Sequence, residues 1–255
     1  MIKLFFFSLI IFFYSNQVLS RKAGETEITT EDGIEVFQKE KYYLLKKNVE
    51  IYSDDFELSG QIVKIFFEKD LYDIKELIAS ENVTFKSEEF DVSGKGDKVE
   101  FDINNEKITI YGINSELYLE NTEMISDGKI NINNVNNSFF IDGPNSKLIN
   151  DNISINGSKI NGSFEIINGK RDIENLIVED EKILNIKTED IVMFSKKAIY
   201  NKKKSIIELF EEVTINRGNE KITGDYGILD TKKKSYKVSS NNSNKVKVII
   251  LESNE

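Results

Sequence analysis

The chain has 255 residues and a mass of 29.3 kDa, enough for one large all-β domain or two ordinary ones, and it contains no Cys, His or Trp. Those absences exclude a disulfide framework, a thiol nucleophile, a zinc or iron–sulfur site, a Ser-His-Asp triad and any imidazole base. With 44 acidic against 34 basic residues the formal charge is -10 and the pI about 4.9, a poor balance for nucleic acid, whose phosphates demand a basic patch.

Lys3 precedes an apolar run from Leu4 to Tyr14, broken only by Ser8, and Val18-Leu19-Ser20 follows. This is the basic, apolar and small-residue order of a secretory signal with a cut before Arg21. The run is shorter than the roughly 20 residues that span a bilayer. Residues 1–20 are therefore expected to be a cleaved signal peptide that exports the chain. A retained N-terminal anchor is the alternative.

From about residue 27 the pattern alternates with period two. Val49-Glu50-Ile51, Val83-Thr84-Phe85, Val99-Glu100-Phe101, Ile108-Thr109-Ile110 and Ile130-Asn131-Ile132 each put apolar groups on one face of a strand. Clusters of Asp, Asn, Gly and Lys separate these runs, as turns require. Residues 62–78 and 179–183 admit a helical reading, but both read as strand. The single proline, Pro144, marks a turn.

A repeat organises the strands. Residues 48–60 read NVEIYSDDFELSG, residues 82–94 read NVTFKSEEFDVSG, and residues 212–224 read EVTINRGNEKITG. The spacing from Val49 to Gly60, Val83 to Gly94 and Val213 to Gly224 is constant, and it predicts a strand, a polar turn and a second strand ending at the glycine. A unit of this kind leaves one apolar face bare, and stacked units bury it.

The segment 211–238, EEVTINRGNEKITGDYGILDTKKKSYKV, resembles the OstA-like/LptA family of periplasmic lipopolysaccharide export proteins. Val213, Ile215, Gly218, Ile222, Gly224, Asp225, Leu229, Asp230 and Lys232 fill the family pattern. Glu212 stands where Asn is usual, and Thr231 precedes the lysine where the family has it after. In the earlier copies Gly60 and Gly94 are kept, with Gln61 and Lys95 in place of the following Asp. The resemblance implies an elongated antiparallel β-jelly roll over residues 21–122 and 186–251, with a short tail at 252–255. It implies lipopolysaccharide as ligand, jelly-roll components of inner- and outer-membrane export complexes as partners, and head-to-tail self-association. Without Cys, His or a Gly-rich strand-to-helix loop, no cofactor and no metal are expected.

Residues 123–185 are richer in Asn and less typical, and read as extra rungs or as an insertion. Carboxylate pairs at Asp54-Asp55, Glu88-Glu89, Glu211-Glu212 and Asp225 with Asp230 were candidates for acid–base chemistry, but neighbours on a strand point to opposite faces. No Asp-rich loop has Ca²⁺-site spacing, and an enzyme is not expected. The basic runs 202–204 and 232–234 read as solvated turns or as contacts to phosphorylated head groups. The expected lipid groove is formed by Val49, Ile51, Phe56, Leu58, Val83, Phe85, Phe90, Val92, Phe101, Val213, Ile215 and Ile222, with Gly60, Gly94, Gly218, Gly224, Asp225 and Asp230 as structural motif. A surface adhesive β-solenoid, which requires a parallel ladder, and a carbohydrate-active enzyme are the other readings.

Overall fold

The computed structural model describes residues 23–69, 73–241 and 245–250. The expected signal at 1–20 and the tail at 252–255 lie outside them. The described chain is all strand and turn, without a helix, as the alternation predicts.

Two short strands, β1 (Glu27–Thr29) and β2 (Ile34–Phe37), lead into four long ones, β3 (Tyr42–Tyr52), β4 (Phe56–Phe67), β5 (Ile74–Ser87) and β6 (Val92–Asp102). Shorter strands follow: β7 (Lys107–Tyr111), β8 (Ser115–Leu119), β9 (Thr122–Ser126), β10 (Lys129–Asn133), β11 (Ser138–Asp142), β12 (Lys147–Asn150), β13 (Ile153–Asn156) and β14 (Lys159–Ile167). Long strands return as β15 (Lys170–Lys187), β16 (Val192–Asn201), β17 (Ile206–Arg217) and β18 (Glu220–Asp230), and β19 (Ser235–Ser239) and β20 (Lys247–Ile250) close the fold.

Each long strand bends midway and serves two sheets. The leading part of β3 pairs with β2 and with the trailing part of β4, while its trailing part pairs with β1 and with the leading part of β4. Continued along the chain, one sheet runs from β2 through β7, β10, β11 and β14 to β19. The other runs from β1 through β8, β9, β12 and β13 to β20. Every pairing in this ladder is antiparallel, which removes the parallel-solenoid reading. Residues 123–185 add strands to the same two sheets and share their core.

The corner that folds one sheet onto the other has a local cause. Just before each repeat valine, two consecutive residues take positive φ: Lys47 and Asn48 (64° and 46°), Glu81 and Asn82 (67° and 55°), Glu211 and Glu212 (63° and 53°). Each pair is a β-bulge of two residues opposing one, facing Gln61, Asp97 and Asp225 respectively, and bulges of this kind bend a strand. Asparagine tolerates the left-handed region, so the Asn-Val dipeptides of the first two copies are corner signals. The opposing polar residue then binds the corner. Gln61 bonds with Asn48, Asp97 accepts the Ile113 N–H at 3.4 Å, and Asp225 accepts the Asn241 N–H at 2.9 Å. In the middle rungs, glycine-containing corners at 112–114, 127–128 and 143–146 replace the bulge, with Pro144 in the last.

Two expectations are corrected here. The second strand of the repeat does not end at its glycine: β4, β6 and β18 run on through Gly60, Gly94 and Gly224 into the other sheet. Nor is Gly94 the counterpart of Gly60. Val49 faces Gly60 and Val213 faces Gly224, but Val83 faces Gly96, and Gly94 faces Phe85. The hairpin after Val83 is centred one residue later, which moves the facing residue by two. The second copy therefore keeps the Gly-Asp pair, as Gly96-Asp97.

The inward faces form one continuous apolar cluster along the roll, from Leu45 and Val49 to Val213, Ile215 and Leu229. Most of its largest enclosed side chains, including Ile110, Met124, Ile130, Ile141, Leu148 and Ile160, sit in the middle rungs, and Leu45, Leu58 and Ile65 lie on β3 and β4.

Candidate lipid-binding cleft

Opposite the corners, the hairpin turns of the two sheets form two facing lips. On one lip are the turns at 103–106, 134–137, 168–169, 202–205 and 231–234. On the other are those at 53–55, 88–91, 120–121, 151–152, 188–191 and 218–219. The lips part in the N-terminal half and leave a cleft of about 470 Å³. Its wall is mostly apolar, with Ile28, Ile51 and Phe56 on one side and Ile74, Phe101 and Ile108 on the other. Phe101 stands edge-on to Phe56 at 5.4 Å and to Phe85 at 5.0 Å, arrangements that fix the ring positions on its floor.

The candidate groove residues divide into three sets. Ile51, Phe56, Phe90, Val92 and Phe101 line this cleft, and Phe90 is 42% exposed at its lip. Val49, Leu58, Val83 and Phe85 lie nearer the corner, buried in the closed core. Val213 and Ile215 are also closed core, in the C-terminal half, and Ile222 is half-buried beside the terminal strand β20. The open passage is therefore shorter than the repeat pattern suggests.

Its inner end is closed by polar groups. Arg171, at the start of β15, spans the lips: its guanidinium donates to the Phe90 carbonyl at 3.0 Å and to Asn134 Oδ1 at 3.3 Å, and its backbone N–H donates to Glu120 Oε1 at 2.9 Å. Behind it Asn150 donates to Thr122 Oγ1 at 2.9 Å and to Asn121 Oδ1, and Asn121 donates to Asp151. Further on, a second mouth of 160 Å³ lined by Ile153, Ile191, Arg217 and Leu229 is bridged by Lys234, which lies 3.8 Å from Glu189 and 3.7 Å from Asp190. The sequence reading missed Arg171. One signal was available: in a chain whose cations are nearly all lysine, Arg171 and Arg217 are the two arginines among the described residues, and each lies at a mouth.

The carboxylate candidates separate. Asp55 and Glu89 reach the cleft rim with Asp102 and Glu106, so the rim is acidic. Glu88 pairs with Lys86, and that hydrogen bond holds its carboxyl below the usual range. Glu212 pairs with Lys196 at a corner, and Asp230 caps the Lys233 N–H at 2.8 Å. Most of the basic-run charge is neutralised within its own neighbourhood. Lys202 pairs with Asp172, Lys203 with Glu174 and Glu165, Lys233 with Asp230. Two shifted tyrosines belong to outward-facing ladders: hydrogen bonding to Glu116 pushes Tyr118 up to about 12, and Glu208 does the same to Tyr226.

No family model matches the chain, and no curated protein matches it. Among solved structures it is similar to LptH, the LptA homologous periplasmic component of the conserved lipopolysaccharide transport device from Pseudomonas aeruginosa. Identity is 7%, with 89% of this chain and 96% of that chain covered, at a TM-score of 0.23. A superposition that loose carries no functional weight.

Proposed function

We propose that this chain is a periplasmic lipid-carrying bridge: it holds an acyl chain of lipopolysaccharide in its N-terminal cleft while the sugar stays outside, and it stacks end to end between inner- and outer-membrane jelly-roll components. The observation that carries this reading is the solvent-open apolar cleft of about 470 Å³ between the two sheets. An acyl chain gains about 0.8 kcal/mol for each CH₂ removed from water, so a cleft of this kind shelters it in an aqueous space. The export signal and the OstA-like segment at 211–238 point the same way.

The ends of the roll support the stacking. Among the described residues, no strand pairs the outer edges of β1 and β2 at one end or of β19 and β20 at the other. Inward-facing Ile34 and Val36 are 51% and 47% exposed at the first end, and Val248 and Ile250 are 54% and 68% exposed at the last. Unpaired edges of this kind template strand addition. β2 runs opposite to β19 and β1 opposite to β20, so head-to-tail copies meet antiparallel at both seams. The charges are complementary too. Residues 24–36 carry Glu25, Glu27, Glu31, Asp32 and Glu35 and no base, whereas residues 231–250 carry Lys232, Lys233, Lys234, Lys237, Lys245 and Lys247 and no acid. Such an interface is heterologous and does not close.

Photo-crosslinking from Ile51, Phe56 and Phe101 in living cells tests the reading, with Val213 in the closed core as control. Adducts with lipopolysaccharide at the cleft positions and none at Val213 are expected. Equal labelling at all four, or none, overturns it.

A further inference from the structure

The cleft has a definite size and a definite end. A buried apolar cavity of about 150 Å³ accommodates benzene, so 470 Å³ corresponds to about 18 carbon atoms. That is the volume of about one long acyl chain. A second chain alongside it has no room unless the lips separate.

The end of the cleft is Arg171. Two of the groups its guanidinium binds, the Phe90 carbonyl and Asn134, belong to residues that line the cleft on opposite lips. Its backbone N–H is held by Glu120 on the lip that also carries Phe90. A planar guanidinium with donors directed to both sides is suited to tie two lips at fixed separation, which a lysine does less well. An alkyl chain advancing along the cleft from β1 towards β15 meets this cation and then the amides of Asn121 and Asn150. Passing them means parting the half-buried Arg171 from its partners on both lips and then displacing the bonds of the buried Asn150, with nothing from the alkyl chain in return.

Resting on the reading of this cleft as a lipid site, we infer that it takes one acyl chain per protein and that Arg171 sets the maximum chain length. Arg171 is thus a specificity-determining residue: the cleft accepts single straight chains up to about 18 carbons, and longer chains leave their excess in water.

Monoacyl phosphatidylcholines of increasing chain length, titrated calorimetrically against the full chain below their micelle concentrations, test this. Affinity is expected to rise about fourfold per added CH₂ and then level off near 18 carbons, at one lipid per protein. Arg171→Ala removes six side-chain atoms, room for about six more carbons, so the levelling point moves to longer chains by up to that amount. Arg171→Lys retains most of the length and the charge, with one donor nitrogen, and keeps the break near its original position. Asn134→Ala, which leaves Arg171 in place, guards against an unfolded Arg171→Ala protein and shifts the break by less. A rise without a break, a break that stays put in Arg171→Ala and Asn134→Ala, or two lipids per protein overturns the ruler while leaving the lipid site standing. No binding at any chain length overturns the lipid site itself.

Discussion

The three corner glycines give the most discriminating test of the fold. Gly60, Gly96 and Gly224 face the repeat valines of their neighbouring strands, yet their surroundings differ. A Cβ added at Gly60 meets the Ser80 carbonyl oxygen at 3.5 Å and Val83 Cγ2 at 3.6 Å, ordinary contact distances. The same atom at Gly96 falls deep inside the contact distance of Ile110 Cγ2 and lies 3.0 Å from the Tyr111 carbonyl oxygen. Ile110 is fully buried and β-branched, so its methyl cannot swing aside, and the carbonyl is held in the ladder. Gly60→Ala is therefore expected to change stability by less than about 0.5 kcal/mol, the usual range for an uncrowded site. Gly96→Ala overpacks a closed core and costs about 2–3 kcal/mol. For a chain of this size that is about 5–10 °C in Tm. Urea unfolding followed by far-ultraviolet circular dichroism, with calorimetric melting, separates the two. Equal midpoints for the two variants would refute the packing that puts Gly96 against Ile110 and the Tyr111 carbonyl.

Other outcomes follow from the same geometry. Phe101→Ala removes the ring that meets Phe56 and Phe85 edge-on, and it lowers stability by about 3 kcal/mol, measured by urea unfolding, while deepening the cleft. Several carboxyls are held below their usual range: Asp127 by the Asn145 amide and then the Asn114 N–H, Glu116 by Lys95 and Tyr118, Glu179 and Glu174 by lysine hydrogen bonds. A depressed folded pKa gives stability that is complete above the unfolded value and lost as pH falls through the folded one. The unfolding midpoint is thus expected to be flat from about pH 5 to about pH 9, to decline below that range as these carboxyls protonate, and to decline above it as the raised Tyr118 and Tyr226 ionise. Asp127→Asn flattens part of that decline, and an unchanged acid limb in this variant contradicts the assignment. Val36→Asp and Val248→Asp each place a charge on the open inward face of an end strand. Each is expected to suppress concentration-dependent association in sedimentation velocity, and moderate salt should weaken it in the parent, because the ends carry opposite charge.

The strands themselves were legible because side-chain alternation is a local property of an extended backbone. Val49-Glu50-Ile51 and Val83-Thr84-Phe85 announce their inward faces without reference to anything distant. The corners were half legible. The Asn-Val dipeptides carried the left-handed bulge, but Glu211-Glu212 adopts the same conformation with no such residue, so only its place in the repeat points to it. Register was not legible at the second copy. A hairpin displaced by one residue moves the facing residue by two, and equal spacing in sequence hid that displacement until the strands were paired.

The candidate cleft shows the same division. Sequence alone determined which residues face inward, since period two decides that. It did not determine which inward residues remain open, because that depends on how far apart two sheets stand and on what crosses between their lips. Ile51, Phe56 and Phe101 line open space, whereas Val213 and Ile215, alike in pattern, are sealed in the core. The lysine runs looked alike as free charge, and tertiary structure paired Lys202, Lys203 and Lys234 with acids far away in sequence. Arg171 is the sharpest case. Its hydrogen bonds reach Phe90, Glu120 and Asn134, and no local rule connects residues so distant along the chain. Alternation and turn chemistry act over a few residues and can be read from the sequence. Sheet separation, hairpin register and contacts between lips are set by the packed whole.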